Sequence, residues 1–170
     1  MWQFTGKQRP EFAETPGPGQ ESVWDYPRPP ALEVSRRRVL VSHAGQVLAD
    51  SSRAWRLLET ASPPSYYIPL EDVNIGLLRP MAGSSFCEWK GAASYWGLPG
   101  DVEGEPVAWC YPDPSQGYAE LRDAVCFYPG RVECRVDGER VQPQPGHFYG
   151  GWITRELVGP CKGEPGTGHW

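Results

Sequence analysis

Ten consecutive residues, Cys87-Glu88-Trp89-Lys90-Gly91-Ala92-Ala93-Ser94-Tyr95-Trp96, bring together a thiol, a carboxylate, an amine and three aromatic rings. Read as an extended strand, the segment sends alternate side chains to opposite faces. Glu88, Lys90, Ser94 and Trp96 then share one face, and Cys87, Trp89, Gly91 and Tyr95 the other. Ala92 and Ala93 leave room between the rings, as the floor of a pocket requires. Lys90 is the only lysine between Lys7 and Lys162 in a chain that otherwise draws its positive charge from arginine. That bias suits an amine with a specific role, either binding a phosphate or carboxylate or, once desolvated, moving a proton. The plainer alternative is a same-face Glu88–Lys90 pair on an exposed sheet, worth ~0.2–1 kcal/mol. Cys87 would need a nearby base to act as a nucleophile. No histidine is close in sequence, so it reads as a buried thiol.

Two further stretches carry candidate chemistry. Ala54 to Thr60 alternates Trp55, Leu57 and Glu59 against Arg56, Leu58 and Thr60, which puts the Glu59 carboxylate on an apolar strand face. Such a group needs either a ligand or a paired arginine. Glu59 therefore joins Lys90 and Glu88 as a candidate catalytic residue. Tyr66 and Tyr67 sit side by side in a proline-bounded extended stretch and must point to opposite faces. One or the other, with Lys90, Trp96 and Trp109, would line an aromatic small-molecule pocket. In Trp24-Asp25-Tyr26-Pro27-Arg28, Asp25 and Arg28 could touch a ligand or simply pin the segment. Arg36-Arg37-Arg38 reads as a solvated strand start or edge guard rather than a phosphate site. The five cysteines, Cys87, Cys110, Cys126, Cys134 and Cys161, form no C-x-x-C pair, and their odd number argues against a disulfide framework. A zinc site drawn from Cys87, Cys110, Cys126 or Cys134 with His43 would lack the close ligand pairs such sites use, so no metal is expected and the cofactor is unknown.

The elements that must position these groups are short. With 170 residues, abundant glycine and proline, and eight tryptophans, the chain suits one β-rich domain with many turns. A net charge of −5 argues against a general nucleic-acid binder. No apolar stretch approaches the ~20 residues that span a bilayer, and no signal-peptide core follows Met1. The expectation is a soluble, cytoplasmic protein that engages neither membrane nor nucleic acid. Residues 1–34 read as a Pro/Gly-rich N-terminal arm, ordered from about residue 21. Residues 35–142 form the β-rich core, and 143–170 a Gly/Pro/aromatic C-terminal arm. Within the core, strand runs flank Ala44-Gly45 and Asp137-Gly138, the second being the strongest hairpin signal in the chain. Leu70 to Leu78 reads as a short helix with Glu71 and Asp72 in its first turn, stopped by Pro80, and a helical turn is expected near Tyr118–Arg122. The fold expected is all-β and antiparallel: strongly curled sheets, sandwich or tent-like, of about seven or eight strands with one or two short helices.

The strings Val23-Trp24-Asp25-Tyr26-Pro27-Arg28-Pro29-Pro30, Tyr66-Tyr67-Ile68-Pro69, Cys87-Glu88-Trp89-Lys90-Gly91 with Tyr95-Trp96, Phe127-Tyr128-Pro129, Val136-Asp137-Gly138-Glu139 and Tyr149-Gly150-Gly151-Trp152 resemble a bacterial family called domain of unknown function 427. The resemblance spans roughly residues 21–170. It implies a compact, β-rich, cytoplasmic domain catalogued as nucleotidyltransferase-like, without an established activity. A polymerase-β-type transfer site wants Gly-Ser at a helix start and then two carboxylates one residue apart on a strand. Gly83-Ser84 and Asp101-Val102-Glu103 are the candidates, but a strand follows the first and a loop holds the second. No phosphate-binding P-loop, dinucleotide fingerprint or nucleophile elbow occurs. Two readings follow. One is a module binding a small molecule in an aromatic-lined pocket around Lys90. The alternative is a nucleotidyl- or phosphoryl-transferase-like enzyme using Lys90 with Glu88 or Glu59.

Overall fold

The computed structural model describes residues 1–170. In chain order its strands are β1 (Glu21–Ser22), β2 (Ala31–Val34), β3 (Val39–His43), β4 (Gln46–Ser51), β5 (Trp55–Leu58), β6 (Ser65–Pro69), β7 (Arg79–Cys87) and β8 (Gly91–Gly97). There follow β9 (Ala108–Cys110), β10 (Ala124–Phe127), β11 (Glu133–Val136), β12 (Glu139–Arg140), β13 (Gln142–Pro143), β14 (Trp152–Ile153) and β15 (Leu157–Val158). Seven of them form one sheet in the order β2-β5-β6-β10-β9-β8-β7, and four form a second, β12-β11-β3-β4. Both are antiparallel throughout.

Side-chain alternation decides what each face of the larger sheet meets. Tyr66 and Ile68 on β6, Ala108 on β9, and Val125 and Phe127 on β10 enter one core with Val39, Val41, Leu48, Cys134 and Val136 of the smaller sheet. Their neighbours one position away, Tyr67, Trp109, Ala124 and Cys126, enter a second cluster on the opposite face. Two-sided burial of this kind is uncommon for an antiparallel sheet, whose second face is commonly solvated. Both ends of the chain contribute to covering it.

The two turn expectations hold. Ala44 and Gly45 both have positive φ (49° and 78°), as do Asp137 and Gly138 (47° and 81°). Such turns twist with their flanking strands, here β3–β4 and β11–β12. Other expectations are corrected. The segment from Cys87 to Trp96 is not one strand: β7 ends at Cys87, Glu88-Trp89-Lys90 form a turn, and Gly91, at φ +101°, opens β8. No helix covers Leu70–Leu78; two 3-10 turns, Leu70–Asp72 and Ile75–Leu77, stand there instead. Buried Val73 bridges to Ala49 between them, and the Asn74 amide donates to the Leu48 carbonyl at 2.8 Å, so pairing with β4 overrides helix propensity. A third 3-10 turn, Ala119–Leu121, lies where a helical turn was expected. Strands outnumber the seven or eight expected because pairs as short as β13–β14 carry no periodic signal. The expected strong curl is absent. The larger sheet is open, with β2 and β7 at its edges. With a separate cover on each face, it has no need to wrap around itself.

The first 20 residues, expected to be unordered, also pack. Phe4 and Phe12 lie against Trp24 with ring centroids 5.1 and 5.2 Å away, and Trp170 approaches the same indole at 5.2 Å. Trp24 is fully buried, and its Nε1 donates to the Pro160 carbonyl at 3.1 Å. Arg56 fastens the same region, donating to Glu33 at 2.9 Å, to the Tyr26 hydroxyl at 3.1 Å and to Glu21. Replacing Trp24 by Ala should lower unfolding stability by ~3–5 kcal/mol, since the cavity left is walled by both termini. Urea titration checks this; a variant as stable as the parent would mean the terminal segments merely rest on the body.

Candidate functional site

The second face of the larger sheet is not filled completely. Between it and the terminal segments lies a cavity of about 480 Å³. Its floor is built by alternation along the central strands: Ala93 and Tyr95 from β8, Trp109 from β9, Tyr111 just beyond it, and Tyr128 after β10. Register sets these rings side by side, with Tyr95 opposite Trp109 and Trp109 opposite Cys126. Hydrogen bonds among the side chains order the wall. The Trp109 Nε1 donates to the Tyr67 hydroxyl at 3.1 Å, and the Tyr95 and Ser85 hydroxyls lie 2.5 Å apart. Phe86 and Phe148, both more than three-quarters exposed, form part of the rim.

The C-terminal segment closes the cavity through two glycines. A Cβ on Gly150 would collide with the Trp109 ring, and one on Gly151 with the Gln144 side chain. Only hydrogen at these positions lets the backbone come so near the floor. Gln144 holds the closure in place: its Oε1 accepts from the Gly151 amide at 3.0 Å, and its Nε2 donates to the Lys162 carbonyl at 2.6 Å.

Charged groups enter from three sides. Lys90, in the β7–β8 turn, is half-buried with its Nζ 5.4 Å from the centre of the Tyr111 ring. Its backbone is held by the Ser115 amide, which donates to the Lys90 carbonyl at 2.9 Å. Lys162 is buried, its Nζ 4.9 Å from the Trp2 ring and 5.4 Å from that of Tyr149. Neither lysine forms an ion pair, and Lys162 donates only to the Trp170 carbonyl oxygen, at 3.2 Å. Burial lowers the Lys162 pKa, and the Arg28 guanidinium adds to that effect while Glu59 and Glu88 oppose it. The arginines, in contrast, are matched. Arg28 faces Glu59 at 3.4 Å and Arg131 faces Glu105 at 3.5 Å, while Arg131 also covers the Tyr128 ring at 4.0 Å. The Trp89 Nε1 is buried without an acceptor.

The candidate residues separate accordingly. Lys90, Trp109, Glu88 and Glu59 all line the cavity. Glu88 is exposed, and Glu59, beyond the end of β5 rather than on a strand face, neutralises Arg28. Tyr67 supports Trp109 from behind, whereas Tyr66 packs on Trp152 in the inter-sheet core at 5.1 Å. Trp96, on the other face of β8, packs against that same core. The turn at Glu88–Lys90 is why the shared face of Lys90 and Trp96 does not exist. Sequence reasoning missed Lys162, Arg131, Tyr111, Tyr128 and Tyr149. Tyr111 follows Trp109 by the two-residue step already used for β9. Lys162 had only its rarity as a signal.

For nucleotidyl transfer the expected constellation is not assembled. Ser84 lies within β7, Asp101 and Glu103 lie in an exposed loop, and no three His, Cys, Asp or Glu side chains group to hold a metal. No helix is long and apolar enough to cross a membrane.

Residues 31–140 match the family described as Domain of unknown function (DUF427), under the short name NTP_transf_9. No curated protein matches the chain.

Burial around the cavity predicts a pH response. It raises the pKa of the Tyr67 and Tyr111 hydroxyls and of the Cys126 thiol, and pushes the Cys161 thiol up to about 11. These groups keep their protons in the fold at pH values where the unfolded chain loses them. Their contribution is thus complete below about pH 9 and declines as pH rises further. Lys162, with a lowered pKa, works in the opposite direction but is one group against several. Urea unfolding from pH 7 to pH 11 should show stability falling above about pH 9; a flat profile would mean that these hydroxyls and thiols are hydrated.

Proposed function

The chain belongs to the family described as Domain of unknown function (DUF427), and within it we propose that this protein binds a small organic anion with a planar, apolar body in the cavity around Lys90. One observation carries the reading: the Lys90 ammonium reaches the cavity over the Tyr111 ring without a carboxylate partner, while the arginines beside it are paired. A half-buried ammonium is costly unless something compensates it, and a carboxylate or phosphate on a ligand would do so. Tyr95, Trp109 and Tyr111 provide flat surfaces on which a conjugated body can stack, and the cavity volume falls within the ~300–1,000 Å³ usual for small-molecule sites. Lys90 would grip the anionic group at the β7–β8 turn. Trp109, backed by Tyr67, would orient the body.

The transferase reading, Lys90 acting with Glu88 or Glu59, finds less support. Glu59 is occupied by Arg28, and Glu88 is exposed to solvent.

A titration with 2-naphthoate, followed by quenching of tryptophan fluorescence, tests the binding reading. Saturable binding at one site per chain is expected. Lys90→Met should weaken it by about tenfold or more, since a charge-assisted contact is worth ~1.5–3 kcal/mol. Equal affinity of parent and variant, with both equally folded, would remove Lys90 from the site. Mass spectrometry of small molecules copurifying with the protein should then identify the natural ligand as a planar organic acid.

A further inference from the structure

Lys162 differs from the other lysines in its burial. Lys7 is exposed and Lys90 half-buried, but Lys162 is only 6% exposed and still lines the cavity. It has no carboxylate paired with it; of the two that act on it, Glu59 is engaged by Arg28 and Glu88 is exposed. Its backbone is fixed on both sides, the amide donating to the Ala61 carbonyl at 2.7 Å and the carbonyl accepting from Gln144 at 2.6 Å. The flexible stem therefore starts from a rigid base and brings Nζ to 4.9 Å from the Trp2 ring and 5.4 Å from the Tyr149 ring. We propose that Lys162 is an amine nucleophile that forms a reversible imine with an aldehyde or ketone carbonyl of the bound ligand. The inference rests on the binding reading above and narrows the ligand to a planar organic acid that also carries a carbonyl.

The chemistry needs nothing beyond the two reactants. The Nζ lone pair adds to the carbonyl carbon, and the C=O π electrons move to oxygen. A proton passes from nitrogen to that oxygen, giving a carbinolamine. Loss of that hydroxyl and the remaining N–H proton as water then leaves a C=N bond, with no change of oxidation state. The first step requires a neutral amine, which burial and the neighbouring Arg28 charge favour and Glu59 and Glu88 oppose. Desolvated lysines in apolar pockets are the usual source of such amines. Lys90, which faces solvent in part, is left to hold the acid group.

The experiment pairs the binding probe with its aldehyde, 6-formyl-2-naphthoate, on the full chain near neutral pH, with sodium cyanoborohydride to trap the imine. Peptide mass spectrometry then locates the naphthylmethyl group. One adduct per chain at Lys162 is expected, forming about tenfold or more faster than at exposed Lys7, because the cavity raises the effective concentration of the aldehyde. Lys162→Arg, which keeps the charge but forms no stable imine, should lose the adduct while the slow background labelling of Lys7 is unchanged. Equal labelling of Lys7, Lys90 and Lys162 would overturn the inference. So would saturable 2-naphthoate binding without any Lys162 adduct, an outcome that leaves the binding reading intact. Selective Lys162 labelling in a protein that fails to bind 2-naphthoate would support the amine assignment and sink the anion site instead.

Discussion

The structure depends on one constraint: the seven-stranded sheet is apolar on both faces. Tyr66 and Tyr67, adjacent on β6, are both buried, and so are Val125 and Cys126 on β10. A sheet that alternates buried with buried, rather than buried with solvated, must find cover twice. The smaller sheet supplies the first cover, face to face, through Val39, Val41, Leu48 and Cys134. The other face meets no comparable sheet: the loop between the two-residue strands β13 and β14 lies over it. It falls to irregular chain from the two ends and to loops, which fit less evenly than a pleated layer would.

That unevenness is the origin of the cavity. Irregular segments rich in glycine and proline touch the aromatic floor at points, as where Gly150 meets the Trp109 ring, and bridge the space between. Rigid walls keep the space open. Tyr67 braces Trp109 from below, and Gln144 ties the segment carrying Tyr149 to the one carrying Lys162. Further out, Arg56 and the cluster around Trp24 bind both ends of the chain to the edge of the same sheet. Glu21, Glu33 and Tyr26 converge on the one guanidinium, while Phe4, Phe12 and Trp170 surround the indole. Fold stability and closure of the cavity are therefore properties of the same contacts.

Charge distribution follows a division of labour between the two basic residue types. Arginine, with its fork of donors, serves the structure: Arg28, Arg53, Arg56 and Arg131 each hold carboxylates, carbonyls or both. Lysine is scarce, and two of its three occurrences stand at the cavity over aromatic rings. A single ammonium cannot bridge several acceptors in fixed geometry as a guanidinium does, but it can lose its proton when desolvated. The scarcity of lysine pointed to Lys90, and the same reasoning applies with more force to Lys162.

By itself the sequence determined the fold class, the family and the turns, because these are written in local terms. Asp137-Gly138 and Ala44-Gly45 accept positive φ wherever they stand, and the adjacent Tyr66 and Tyr67 had to face opposite ways whatever lay on either side. Lys90 and Trp109 were legible as residues facing the cavity for the same reason, an unusual residue and a strand position that repeats every two. Local pattern misled where tertiary contact was stronger. Alternation runs from Cys87 to Trp96, yet Gly91 takes φ +101° and a turn folds β8 back onto β7, which pairs the two strands from Cys87–Gly91 out to Arg79–Gly97. Val73 left a helical pattern to bridge to β4. The cavity itself belongs wholly to the tertiary structure. Trp2, Trp109 and Lys162 come from the start, middle and end of the chain, and no periodicity spans such separations. Only the need to cover the second face of the sheet brings them together.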